Sequence, residues 1–579
     1  MKLIFKLCVF CAFAVNLLSS CSHKQQVDLI VRNAVVYRVD STFSNAESFA
    51  IKDGKFIAVG SNEEIQNNYE AKETTDAKGK AVYPGFIDSH CHFYGYGKGL
   101  VEVNLVGTKS FEEVIQRVVD YSKTNKSEWI IGRGWDQNDW AIKEFPNRYK
   151  LDKLFPNNPV FLQRIDGHAA LVNREALKRA EIMADAKVNG GVIQIDLITK
   201  EKGGEEDWLS SEINSEVKHM QYPFSMPSGI LIDNAVDLVK NKIAKSTKSE
   251  IKNALLSAEK KCFAVGLTTV DDAGLEKNII DVMDELQKSN ELKMRIYAML
   301  TDNKENLDYY LQHGTYKTDR LNVRSFKFYA DGALGSRGAC LLKPYTDEPA
   351  KQGFLLNTPE YFNENAKKVF EKGFQMNTHC IGDSAVRLIS EIYLNTLVSH
   401  STASLAPISY RWRIEHAQIV NDDDRKKFSG IIPSVQPTHA TSDMYWAKDR
   451  VGEERIKCAY GYNDLLKTTG LIALGTDFPV ENINPLYTFY AAVARKDLKG
   501  FPEGSFQPEN ALSRENTLKG MTIWGAYANF EEKEKGSIEP GKFADFIILD
   551  NDIMKCDIGK VPNTKVISTY VNGECVYHN

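Results

Sequence analysis

Eight short apolar runs, each closing on polar residues, punctuate the chain at 81–90, 267–272, 293–300, 324–331, 374–380, 411–417, 431–437 and 470–477. Amphipathic segments, such as 249–265 and 384–397, lie between most of them. Apolar runs that alternate with helical patterns argue for βα units and a parallel sheet. Eight such units predict an α/β chain folded as a (β/α)8 TIM barrel, which keeps its chemistry at the C-terminal ends of its strands.

Two regions stand outside this count. The interval 93–266 separates the first and second runs. It holds strand-like pieces of its own at Trp129–Gly134 and Val160–Gln163, and a polar, Gly- and acid-rich patch at 200–216. It is expected as an insertion over the barrel mouth. The chain ends are β-rich. Asp53-Gly54 and Asn572-Gly573 each sit between apolar stretches, a strong hairpin signal. Neither end could bury a core alone. Residues 27–82 and 531–579 are therefore expected to form one composite β-sandwich, with the barrel occupying 83–530.

The first run, AVYPGFIDSHCH, reads as one buried strand with a polar end. Residues two apart on a strand share a face, so His90 and His92 are expected to project together. Two fixed imidazoles suit a metal ion. Lys327 lies inside an apolar strand, and His379, His416 and Asp477 each end a later run. Taken singly, the histidines could be structural, the lysine could snorkel and Asp477 could cap a helix beginning near Pro479. One shared site explains five polar strand ends more simply than five separate accidents. Asp166 and His168, in the insertion, could bind substrate or close a turn. His439 follows the seventh run and could orient substrate. Arg337, with Asp331 and Asp383, could support the pocket or form ion pairs. Trp135, with Trp140, could wall an apolar pocket or pack in a core.

PGFIDSHCH, RIDGHAALVN, GLTTVDDAG, FKFYADGALGSR, THCIGDSAV, RIEHAQ, QPTH, GTDFPV and PGKFADFIILD, spread over the chain beyond the leader, resemble the amidohydrolase superfamily. Within it they resemble the subgroup (amidohydrolase family 3) that contains N-substituted formamide deformylase. The resemblance implies a metal-bearing barrel with a sandwich built from both chain ends. It also implies one or two divalent metal ions, with zinc the default and manganese or iron as alternatives. His90 and His92 would hold the buried metal, and His379 and His416 the second. Lys327 would be a carboxylated lysine bridging the two. Asp477 would touch metal and carry protons. One departure is the long polar stretch between 196 and 227, which bears on substrate choice.

The net charge of −5 and pI near 6.2 give no basic footprint for nucleic acid. Residues 1–21 have a short basic start, an apolar run and LSSC. They resemble a bacterial lipoprotein signal whose lipobox ends at Cys21. That implies a lipid anchor as the one membrane link, in the cell envelope and facing the periplasm; an ordinary secretory signal is the alternative. The seven cysteines beyond Cys21 are dispersed and read as thiols rather than a disulfide framework. Monomer and homodimer both remain open. The expected activity is metal-dependent hydrolysis of carbon–nitrogen bonds other than peptide bonds, in a small amide or an N-acyl or N-formyl compound. Hydrolysis of a cyclic amide or ester is one rival, and a lipid-anchored binding protein without chemistry is another.

Overall fold

The computed structural model describes residues 24–199, 223–399 and 407–579. Residues 1–23 with Cys21, the polar stretch 200–222 and residues 400–406 lie outside the described residues. Eight parallel strands form the central sheet: β1 (Phe86–Cys91), β2 (Leu267–Leu275), β3 (Arg295–Thr301), β4 (Leu321–Tyr329), β5 (Gln375–Cys380), β6 (Arg413–His416), β7 (Ile432–Val435) and β8 (Ala473–Leu474). Each pairs in parallel with the next. The strands are buried along nearly their whole length, which is why they read as continuous apolar runs. Between them lie helices such as Lys248–Ala264, opened by a Thr247–Glu250 capping box and burying Ile251, Leu255, Ala258 and Cys262.

Side chains and irregular backbone close the barrel. Asp477 N donates to His90 O at 2.7 Å, and His92 N donates to Phe478 O at 2.8 Å. Asp88, buried on β1, accepts from Thr476 N at 2.9 Å and from Thr476 Oγ1 at 2.6 Å. Burial pushes the Asp88 carboxyl up to about 7, against these hydrogen bonds.

The expected single strand 81–92 is in fact two. Ala81–Pro84 belongs to a different sheet, and β1 starts at Phe86. The break falls at Gly85, where a Cβ would lie 2.2 Å from Thr268 Oγ1. Close approach of β2 therefore demands glycine and bends the chain from one sheet into the other.

Two sheets draw on the chain ends. One joins Lys55–Gly60, Ser48–Lys52, Gln25–Arg32 and Tyr69–Asp76. The other joins Glu574–His578, Val566–Val571, Phe546–Leu549, Ala81–Pro84, Val35–Tyr37 and Asn45–Ala46. They bury a common core: Phe49 packs edge-on against Phe56 and Phe546, with ring centroids 5.2 and 5.0 Å apart. Both hairpins turn where expected, with Asp53, Gly54, Asn572 and Gly573 all at positive φ. Arg295 of β3 joins this unit to the barrel by a buried two-point ion pair with Asp545, at 2.5 and 3.0 Å.

The interval between β1 and β2 forms a third, six-stranded sheet in the order Gly191–Ile198, Phe224–Asp233, Ala169–Val172, Val160–Arg164, Ile130–Trp135, Val103–Asn104. Apolar clusters cover it on both faces. A bulge at Gly134 (φ +109°) interrupts its pairing, so that Arg133 faces Gln163 and Trp135 faces Arg164. A Cβ on Gly134 would fall 2.8 Å from Val106 N.

Candidate metal centre

Above the C-terminal strand ends lies a cavity of about 1000 Å³, lined by His92, Lys327, His379, His416, His439 and Asp477, and from the insertion by Asp166 and His168. His90 is fully buried beside them. The imidazole rings form a chain: His90 to His416 is 4.9 Å between centroids, His416 to His379 is 4.5 Å, and His379 to His168 is 4.9 Å. Six residues from five separate strand ends thus converge, although the nearest two of those strands in sequence, β5 and β6, are dozens of residues apart.

His92 does not share a strand with His90, as the alternation argument expected. It lies just past β1, heading the helix Phe93–Gly99, with its ring 5.9 Å from that of His90. Asp272, in the C-terminal half of β2, accepts from Tyr94 N at 3.0 Å and fixes that helix start.

The residues pass a physical test for metal. Three histidines are held at Nδ1: His90 by Glu415 Oε2 at 2.5 Å, His92 by the Ala273 carbonyl at 3.0 Å, and His416 by Gln436 Oε1 at 2.8 Å. A proton engaged at Nδ1 leaves Nε2 as a lone-pair donor, the arrangement that orients metal-binding imidazoles. Burial lowers His90 to about 4 and takes His379 and His416 well below the ordinary histidine value, so all three are neutral. Neutral imidazole is the ligating form. Asp477 Oδ1 and His379 Nε2 are buried without a hydrogen-bond partner. Donor atoms of His90, His92 and Asp477 lie within 4.8 Å of one another, as do those of His416, His439 and Asp477.

Asp477 lies between the two groups. Its Oδ1 is 3.2 Å from His92 Nε2, and its Oδ2 is 3.3 Å from His439 Nε2. Burial alone would raise its carboxyl; the hydrogen bond with His439 and the close approach of His92 and His90 instead hold it well below the usual range. The helix-cap alternative fails, because the next helix begins at Pro485 and is capped by Asn484. Asp477 and His416 both adopt positive φ, +62° and +70°. Such backbone costs on the order of 1–3 kcal/mol per residue and clusters at functional sites.

Lys327 does not snorkel. It is buried on β4, with Nζ 3.2 Å from His90 Nε2 and 4.6 Å from the Tyr329 ring centre. Burial pushes its amine down to about 8, against the opposing pull of Glu415 and Asp477. His439 differs from His90, His379 and His416. Burial opposes its charge, but hydrogen bonds to Asp477 and Glu481 raise it well above the ordinary value.

The remaining candidates separate. His168 lines the cavity and is held at Nδ1 by Asp233 Oδ1 at 2.7 Å. Asp166 lines it too, yet its carboxylate pairs with Arg164 and accepts from His168 N, so it also closes the turn. Asp331 accepts from three backbone N–H groups, and Asp383 from Leu342 N. Trp135 is not brought to the cavity. The Gly134 bulge turns it into the insertion's core, 6.1 Å from Trp140, where its Nε1 donates to Leu162 O at 2.8 Å. Arg337 is likewise elsewhere, paired with Asp347 and Glu348.

The sequence reading missed Glu415, Arg413 and Gln436. Arg413 is fully buried, bonded to Glu415, Asp271 and Ser434. Burial alone would raise the Glu415 carboxyl, but Arg413 and His90 hold it far below the usual range. A signal was available: two opposite charges two apart in the buried run RIEH must face the same way and pair.

Comparison with known proteins agrees with this site. An amidohydrolase family model matches residues 73–201 and 223–577. The chain is 32% identical to Protein LONG AFTER FAR-RED 3 of Arabidopsis thaliana, over 95% of this chain and 91% of that one. It is 24% identical to the N-substituted formamide deformylase of Arthrobacter pascens, over 96% and 99%. Its fold is similar to the crystal structure of an uncharacterized metal-dependent hydrolase from Pyrococcus horikoshii, with a TM-score of 0.71, 27% identity, and coverage of 92% and 99%. Matched over most of its length and carrying the donor set of a metal-dependent hydrolase, the chain belongs to the amidohydrolase family.

Proposed function

We propose that the protein hydrolyses a carbon–nitrogen bond other than a peptide bond, in a small amide or an N-acyl or N-formyl compound. The observation that carries this reading is Asp477, whose carboxylate touches His92 with one oxygen and His439 with the other. His90, His92, Lys327, His379, His416 and Asp477 would hold one or two divalent ions, with zinc suited to this histidine and carboxylate set. When bound, such an ion polarises the substrate carbonyl and acidifies water at neutral pH.

The chain's own groups do the rest. Asp477 accepts the proton of the attacking water. It returns that proton to the departing nitrogen, because an amide anion leaves poorly. His439, charged between two carboxylates, orients Asp477 and presents positive charge to the cavity. Glu415, Ala273 O and Gln436 keep three imidazoles in one tautomer. Lys327 is buried with a lowered pKa, so a useful fraction of its amine is neutral and can add to CO2. The N–C bond forms as one C=O π pair of CO2 moves onto oxygen, the nitrogen's proton passes to water, and the carbamate supplies anionic oxygen. The formamide deformylase among the relatives supports the choice of bond, as does a cavity large enough for a small N-acyl compound. The segment LSSC supports placing the protein on the periplasmic side of the envelope, anchored at Cys21.

The test is a screen of metal-reconstituted protein against N-formyl amines, N-acetyl amines, cyclic amides and esters. Open-chain amides should be turned over, with up to two metal ions bound per chain. Turnover confined to cyclic amides or esters would overturn the reading, as would full activity in metal-free protein.

A further inference from the structure

The insertion sheet turns one face to the cavity. On its strands Ile130–Trp135 and Val160–Arg164, Ile131 pairs in register with Phe161, and Arg133 with Gln163. All four side chains line the cavity. Arg164 also reaches it, but is fully engaged: Asp136 and Asp166 take its Nη atoms, and Gln137 Oε1 accepts from Nε at 2.8 Å. Arg133 is not. Among the described residues it forms no ion pair. Its Nη2 donates to the Ile165 carbonyl at 3.1 Å, and its Nε is buried without a partner. Asp477, Glu102 and Asp166 act on Arg133 only at longer range, none within ion-pairing distance, and Glu102 is shared with Lys98, four residues earlier.

A guanidinium whose Nε is buried without a partner is costly unless something pairs with it. Burial lowers its pKa, against the pull of Asp477, Glu102 and Asp166. The group is planar and offers parallel N–H donors that match a carboxylate at two points.

We propose that Arg133 is a specificity-determining residue that receives a carboxylate of the substrate, with Ile131 and Phe161 taking an apolar portion beside it. The substrate class is then an N-acyl or N-formyl compound bearing a carboxylate. This rests on the amide-hydrolase reading above, and the test keeps the two apart.

Two compounds differing only in the carboxylate serve as probes: N-formylphenylalanine, each enantiomer separately, and N-formyl-2-phenylethylamine. With metal-reconstituted full-length protein, kcat/KM should favour one enantiomer of the acid by at least about tenfold, the scale of a charge-assisted hydrogen bond. Arg133→Met should abolish that preference through KM, leaving the neutral amide within about twofold. Arg133→Lys should restore part of it. Titration calorimetry with the same compounds gives a readout independent of turnover. If neither probe is cleaved but the acid binds more tightly and Arg133→Met removes the difference, the hydrolase reading fails and the carboxylate site stands. No preference for the acid in the parent protein, by rate or by binding, overturns the proposal even if the variant does not fold. So does a preference that survives Arg133→Met.

Discussion

Glu415 Oε2 lies 2.5 Å from Nδ1 of His90, across the barrel and 325 residues away in the chain. Arg413 holds the far side of the same carboxylate, with its Nε 2.7 Å from Oε1. The pair fixes which nitrogen of His90 faces the cavity. Glu415→Gln keeps the shape and removes the charge. Metal affinity should fall about 10–100-fold, the usual cost of losing such a supporting partner. Chelator competition followed by metal analysis reads this directly, and unchanged affinity would show that Glu415 serves the core alone.

Asp477→Asn should leave the protein folded and lower turnover by at least ~10²-fold, the lower end for lost general acid–base catalysis. Circular dichroism and steady-state rates with an accepted amide measure the two effects. Near-parental turnover would move the proton carrier elsewhere, with His439 the next candidate.

Gly475 passes close to β1. A Cβ there would lie 2.5 Å from His90 N and 2.8 Å from Asp88 Oδ1. Gly475→Ala should therefore push β1 away from the eighth strand, displace His90 and lower both metal content and melting temperature. A variant with parental metal content and stability would mean that the barrel seam is softer than this packing implies.

Asp545→Ala strands Arg295 in the interface between barrel and terminal sheets, where both side chains are almost fully buried. Breaking a buried pair from one side costs about 3–5 kcal/mol. Denaturant unfolding should show a loss of that order. A loss below about 1 kcal/mol would place the pair among exposed salt bridges in energetic terms.

Cys21→Ser should release the protein from the membrane fraction, because the proposed anchor is attached to that thiol. Unchanged fractionation with membranes would remove the lipobox reading of LSSC.

The sequence by itself determined the eight-stranded barrel and most of the candidate site. Parallel strands buried on both faces must be continuous apolar runs, so Lys327, His379, His416 and Asp477 stood out as polar interruptions at strand ends. Glycine-bearing hairpins at 53–54 and 572–573 were equally legible, because few other residues tolerate positive φ. Only the tertiary structure decided what those side chains touch. Gly85 breaks the predicted first strand because Thr268 passes against it. The bulge at Gly134 moves Trp135 from a cavity wall into a core, by shifting alternation one residue. Glu415 meets His90, and Asp477 meets His439, through closure of the barrel. Strand period is a local property of the chain, whereas a hydrogen bond across 325 residues depends on register, twist and closure, which no short stretch of sequence contains.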